Sequence, residues 1–142
     1  MPTFLLKTEP SEFAFADLVA TKRAAWDGVT NAAALIALRS MRKGDEALIY
    51  HTGLEKAIVG LARIATNPYE DPARPGTNDR GEPRFAVVDL APVAAAPTPV
   101  PLARIKDDAR FAKFPLVAQG RLSVMPVPAA LDKVLRAWAG LA

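Results

Sequence analysis

The sequence predicts an α+β domain with a small curved sheet, or barrel, of five or six strands and helices at its periphery. Three observations carry that expectation. Two β-rich runs, EALIYHT (46–52) and KAIVGLARIA (56–65), are joined by a short link containing Gly53 and read as a hairpin. Gly60, inside the second run, marks a bulge or a close backbone approach of the kind a curved sheet needs. Strand-like runs and segments of helical spacing follow one another without the strict alternation of a parallel α/β fold. The 142 residues show no internal repeat or linker, so one domain is expected over 1–142.

Each element has its own warrant. TFLLKT (3–8) is a short apolar run closed by Glu9-Pro10 and reads as a buried strand. In AFADLVA (14–20), Phe15, Leu18 and Val19 stand at i, i+3 and i+4, which predicts a short helix, capped by either Ser11 or Asp17. Trp26 precedes Asp27-Gly28, a pair that favours a turn. Asn31 is a good N-cap for a helix over 32–42 with Leu35, Leu38 and Met41 on one face. Arg39, Arg42 and Lys43 suit the negative end of that helix, and Gly44 fits a left-handed C-cap.

Residues 67–84 hold four prolines and two glycines and read as a long functional loop. FAVVDLAPV (85–93) reads as a strand, and the proline-rich AAAPTPVP after it as unsuited to a central strand. LARIKDDARFA holds a short helix or two turns. RLSVMPV (121–127) alternates and reads as a strand. A last helix over 128–139 begins with Pro128 near N1 and ends near Gly140, with Trp138 in its core face.

Composition narrows the function. The chain has no cysteine and one histidine, His51, which leaves no thiolate site and no metal-ligating cluster; no metal or cofactor is expected. A Ser-His-Asp triad would need His51 with Ser11, Ser40 or Ser123, and none of these serines lies in a G-x-S-x-G elbow. No Walker A or G-x-G-x-x-G run is present. The chain is therefore expected not to be an enzyme. No apolar run approaches the ~20 residues that span a bilayer, and no signal peptide is visible. The expectation is a soluble, cytoplasmic monomer that does not engage membranes. Net charge is +3. Between residues 104 and 121, Arg104, Lys106, Arg110, Lys113 and Arg121 face only Asp107 and Asp108, an excess equal to that of the whole chain. The cluster reads either as a solvated mixed surface or as a contact for phosphates.

Polar and aromatic residues gather at the ends of the expected elements: Lys7, Thr8 and Glu9; Trp26 and Asn31, with Val29 between them; Tyr50, His51 and Thr52; and Ser123 in the last strand. A pocket for a planar ring needs such groups, an aromatic face to stack on and amides or hydroxyls for the ring edge. Each has a plainer alternative. Tyr50 reads equally as an ordinary half-buried tyrosine, His51 as a structural histidine and Trp26 as a plug at one end of the barrel.

The stretches FLLKTEP (4–10), WDGVTNAAALIALRSMRKGDEALIYHT (26–52), AIVGLARI (57–64), NPYEDP (67–72), RFAVVDL (84–90) and LVAQGRLSVMPV (116–127) give the chain a further property. In that order, over nearly the whole length, the sequence resembles the EVE domain family of the PUA-like group. The resemblance implies a PUA-like curved barrel and a pocket that reads a nucleobase, with modified cytosine in DNA as the suspected ligand and RNA as the alternative; a small nucleobase-like molecule is a further one. It implies a base pocket drawn from Lys7, Thr8, Glu9, Trp26, Val29, Asn31, Tyr50, His51, Thr52 and Ser123. Arg39 and Arg42 join the cluster of residues 104–121 as candidate backbone contacts. Phe4, Thr8 and Thr52 depart from the family pattern of tryptophan, serine and serine. Thr30 stands where arginine is frequent, which removes a guanidinium able to hold a phosphate or a base edge.

Overall fold

The computed structural model describes residues 2–142. Its strands are β1 (Thr3–Thr8), β2 (Ala24–Trp26), β3 (Glu46–His51), β4 (Ala57–Ile64), β5 (Tyr69–Glu70), β6 (Ala86–Pro101) and β7 (Val124–Val127). Its helices are α1 (Phe15–Thr21), α2 (Ala32–Ser40), α3 (Leu102–Lys106), α4 (Pro115–Ala118) and α5 (Ala129–Ala139), with a 3₁₀ turn at Ala109–Phe111. The strand order is β2-β6-β4-β3-β1-β7, with β5 paired to the first residues of β6. Only β1 and β3 run parallel; the other pairs are antiparallel.

The sheet is curled into a half-barrel. α2 packs on both β6 and β7, which stand four ladder steps apart. In a flat sheet that separation is about 19 Å. A helix of ordinary width, about 10–12 Å across with its side chains, touches both only if the sheet wraps around it. Inside the curl, α1 and α2 pack on Phe4, Leu6, Ile49, Ile64, Val88, Leu90 and Val124. On the other face, α3, α4 and α5 cover Leu5, Leu48, Ile58, Leu61 and Met125. Because side chains alternate along a strand, Phe4 and Leu6 belong to one core and Leu5 to the other. Burial on both faces explains why β1 and β3 are continuous apolar runs with no polar alternation.

Gly60 performs the close approach that the sequence anticipates. A Cβ there would stand 2.6 Å from the ring of Phe15. The β3–β4 register shifts beside it, with Ile49 opposite Gly60 and Tyr50 opposite Ile58. This bulge and those in β6 give the sheet its bend.

Several boundaries differ from the sequence expectation. The proline-rich passage is part of β6, which runs for 16 residues. It is admitted because beyond Leu90 β6 has no partner on its β2 side, and because residues 96–99 loop out of register with β4. Pro97 and Pro99 fall in that bulge, where no ladder donor is required. β2 and β5, of three and two residues, raise the strand number to seven. Trp26 therefore closes a strand; the segment 27–31 that follows it is irregular and forms no hydrogen-bonded turn, though Gly28 takes a left-handed conformation, φ +78°. α2 ends at Ser40, and Met41 leaves the helix in an extended conformation to bury its side chain fully. The Asp45 carboxylate accepts the Arg42 N–H at 2.9 Å, and Gly44 (φ +98°) serves the turn into β3, not a left-handed cap of the helix. The last strand is shorter than expected, beginning at Val124. Pro128 occupies the N-cap of α5, and Gly140 is its left-handed C-cap (φ +75°).

Candidate functional site: two clefts at one end of the sheet

β1 and β3 end side by side, with Lys7 opposite Tyr50 and Thr8 opposite His51. The pleat sends these two pairs to opposite faces. The single pocket read from the sequence is thus divided in two.

On the inner face, Trp26, Phe13, Thr8, Glu12, Ala25 and Asp27 line an open cleft of about 320 Å³. Trp26 is half-buried. Its ring meets Phe13 edge-on, with centroids 6.4 Å apart and planes at 76°. That T-shaped contact fixes the indole without a parallel stack. The hydroxyl of Thr8 donates to the carbonyl of Phe13 at 2.6 Å and holds this aromatic in place. β2 itself is anchored through Asp89 of β6, the register partner of Ala25. The Asp89 carboxylate accepts from Arg23 Nε at 3.1 Å and from the Tyr69 hydroxyl. Burial and the neighbouring carboxylate push the Tyr69 phenol up to about 12.

On the outer face, Lys7, Tyr50, Thr52, Gly53, Lys56 and Lys106 line a second cleft of about 230 Å³, floored by Leu102, Leu116 and Val117. Lys7 Nζ donates to the Gly120 carbonyl at 2.9 Å and lies 5.9 Å from the centre of the Tyr50 ring. Burial lowers the pKa of Lys7 and raises that of Tyr50.

The other anticipated pocket residues lie elsewhere. His51 is buried among structural partners. Its Nε2 accepts the Phe15 N–H at 2.9 Å, and its Nδ1 lies 2.7 Å from Glu55 Oε1, the tautomer with hydrogen on Nδ1. Both ring nitrogens are used, one of them to start α1. Glu9 sits on the rim between the clefts and accepts from the Ser11 hydroxyl and the Thr52 hydroxyl, each at 3.1 Å. These bonds, led by the backbone N–H of Ser11, hold its carboxyl below the usual range. Asn31 caps α2 through Oδ1, at 3.0 Å from the Ala34 N–H, and lines neither cleft. Val29 packs against the inner core. Ser123 contributes its carbonyl to the Lys7 N–H at 2.9 Å.

The basic residues also divide. Arg39 donates to the carbonyls of Pro83 and Arg84, each at 2.8 Å, and so pins the 67–84 loop to α2. Arg42 donates to the carbonyls of Arg39 and Met41. Arg39 belongs to α2 of the inner face and Arg42 follows just beyond its end, whereas residues 104–113 belong to the outer layer. There, Arg104 stacks over Trp138 at 4.2 Å, and Arg110 makes a two-pronged contact with Asp108, drawing that carboxyl down to about 2. Lys106 lines the outer cleft; Lys113 and Arg121 are exposed.

Glu12, Phe13, Asp27 and Lys56 are among the lining residues that sequence reasoning missed. Phe13 had one signal, an aromatic in the polar stretch between Pro10 and α1. Lys56 is the one cation of the hairpin link.

A family model described as the EVE domain matches residues 3–137. Thymocyte nuclear protein 1 of Gallus gallus is 28% identical over 152 aligned residues, which take in 87% of this chain and 63% of that protein. The chain therefore spans a little under two thirds of that relative. Among solved structures, a protein of Rhodopseudomonas palustris has a TM-score of 0.87 at 36% identity, over 99% of this chain and 94% of that one. Human THYN1, solved in complex with DNA containing 5-methylcytosine, has a TM-score of 0.86 at 24% identity, over 100% and 99% of the two chains.

Proposed function

The chain belongs to the EVE domain family, and from that premise we propose that it is a non-enzymatic module that binds nucleic acid and seats one flipped base, a modified cytosine in DNA, against Trp26. The observation that carries this reading is the Trp26 cleft. Phe13 packs against the indole in a T-shaped contact, the volume of about 320 Å³ suits a small planar ligand, and Thr8, Glu12 and Asp27 surround it with polar groups. A base removed from its stack needs an aromatic face to replace its neighbours and polar groups for its edge. The family relationship to a protein solved with 5-methylcytosine DNA supports the choice of ligand.

Binding without catalysis fits the site. His51 has both nitrogens committed to structural bonds, so it is not free to act as a general base. Among the described residues, no helix is long and apolar enough to cross a membrane.

The test is titration of matched oligonucleotides, DNA and RNA, each with cytosine or 5-methylcytosine at one position. The expected result is tighter binding of the methylated DNA, with the oligonucleotide recovered unaltered by mass spectrometry. Tighter binding of RNA regardless of methylation would replace this reading with that of an RNA-binding domain. Equal, weak binding of all four would defeat it.

A further inference from the structure

The outer cleft is not needed to hold a base, yet it is built around charge. Lys7, Lys56 and Lys106 converge on it from β1, from the hairpin link and from α3. Among the described residues none of the three makes an ion pair within 4.0 Å. No carboxylate of the described residues lines the cleft; Glu9, which bonds to Thr52 of its lining, is already engaged by Ser11 and Thr52, and Glu55 beside Lys56 is engaged by His51. Lys56 adopts a left-handed backbone conformation (φ +46°), unfavourable for a side chain of its kind. Its carbonyl is tied to the Leu102 N–H at 2.8 Å, joining the hairpin link to the start of α3.

We infer that this cleft seats a phosphodiester group of the same nucleic-acid strand whose base lies against Trp26. The inference rests on the base-seating reading above. Contiguity supports it. Lys7 and Thr8 are consecutive residues, one lining each cleft, so their Cα atoms stand about 3.8 Å apart. A strand crossing the ends of β1 and β3 passes from one cleft to the other over the Glu9–Thr52 rim. The apolar floor of Leu102, Leu116 and Val117 lowers the local dielectric and strengthens attraction between the ammonium groups and an anion. Lys7 spends one donor on Gly120 and keeps two for the ligand. Burial destabilises its charge, and an anion in the cleft offsets that cost.

The experiment measures affinity for a single-stranded 5-methylcytosine oligonucleotide across a salt series, in the parent and in two variants. The first combines Lys56→Asn, a residue better suited to a left-handed backbone, with Lys106→Gln. The second is Lys133→Gln, an exposed lysine of α5. Thermal melts establish that each is folded. Loss of one phosphate contact should flatten the slope of log K against log salt by about 0.7 in the double variant, and Lys133→Gln should match the parent. The preference for methylated over plain cytosine should persist, because it reports on Trp26. A double variant with the parent slope overturns the inference. A flattened slope without any methylation preference upholds a phosphate seat in the outer cleft and overturns the base-seating reading alone.

Discussion

His51 Nε2 accepts the backbone N–H of Phe15, so the end of β3 holds the start of α1 across 36 residues of sequence. Phe15 also carries a ring that fills the inner core beside Gly60. Replacing His51 by Ala leaves that buried N–H without its acceptor. The expected cost is about 1–3 kcal/mol, read as a lower urea midpoint at unchanged m-value. A variant that unfolds with the parent would show that the bond is dispensable.

Trp26 and Asn31 should separate function from stability. Trp26→Ala removes a half-exposed ring and should weaken oligonucleotide binding by about 1–3 kcal/mol, with Trp26→Phe recovering part of the loss. Asn31→Ala should cost the fold about 1 kcal/mol through the lost cap. Asn31→Asp keeps an acceptor for the Ala34 N–H, and because Asn31 lines neither cleft it should preserve both melting temperature and base preference. Altered base preference in Asn31→Asp would return this residue to the pocket.

Gly60 tests the curl of the sheet. Gly60→Ala places a methyl group 2.6 Å from the Phe15 ring and should destabilise the protein by about 1–3 kcal/mol, the usual scale of overpacking. Combining it with Phe15→Leu should cost less than the sum of the two single changes, measured as a double-mutant cycle. Additive costs would place the strain elsewhere.

Tyr69 gives a dependence on alkaline pH. Its folded pKa of about 12 lies above the ordinary 10, so the folded state retains a proton that the unfolded chain releases first. The stability it contributes is full below pH 10 and is lost as pH rises towards 12. Ultraviolet titration should show a phenol ionising late, absent in Tyr69→Phe. That variant should also lose less stability than the parent between pH 10 and 12. A tyrosine at 69 that titrates near 10 would mean that the Asp89 bond does not persist in solution.

The sequence alone determined what local patterns can encode. The apolar runs fixed β1, β3 and β4, helical spacing fixed α1, α2 and α5, and Asn31 and Gly140 marked helix ends by the geometry that their side chains, or lack of one, permit. Gly60 announced a close approach without naming Phe15 as its partner. β2 and β5 escaped because two or three residues carry no periodicity, and they exist only as additions to β6. The prolines of β6 argued against a strand because their tolerance depends on which edge is unpaired, a property of sheet order. The division of the pocket was also a tertiary matter. Lys7 and Thr8 are neighbours in sequence, and the pleat places them on opposite faces. Which face holds Trp26 and which holds Lys56 and Lys106 is decided by the curl of the sheet and the layer each helix joins.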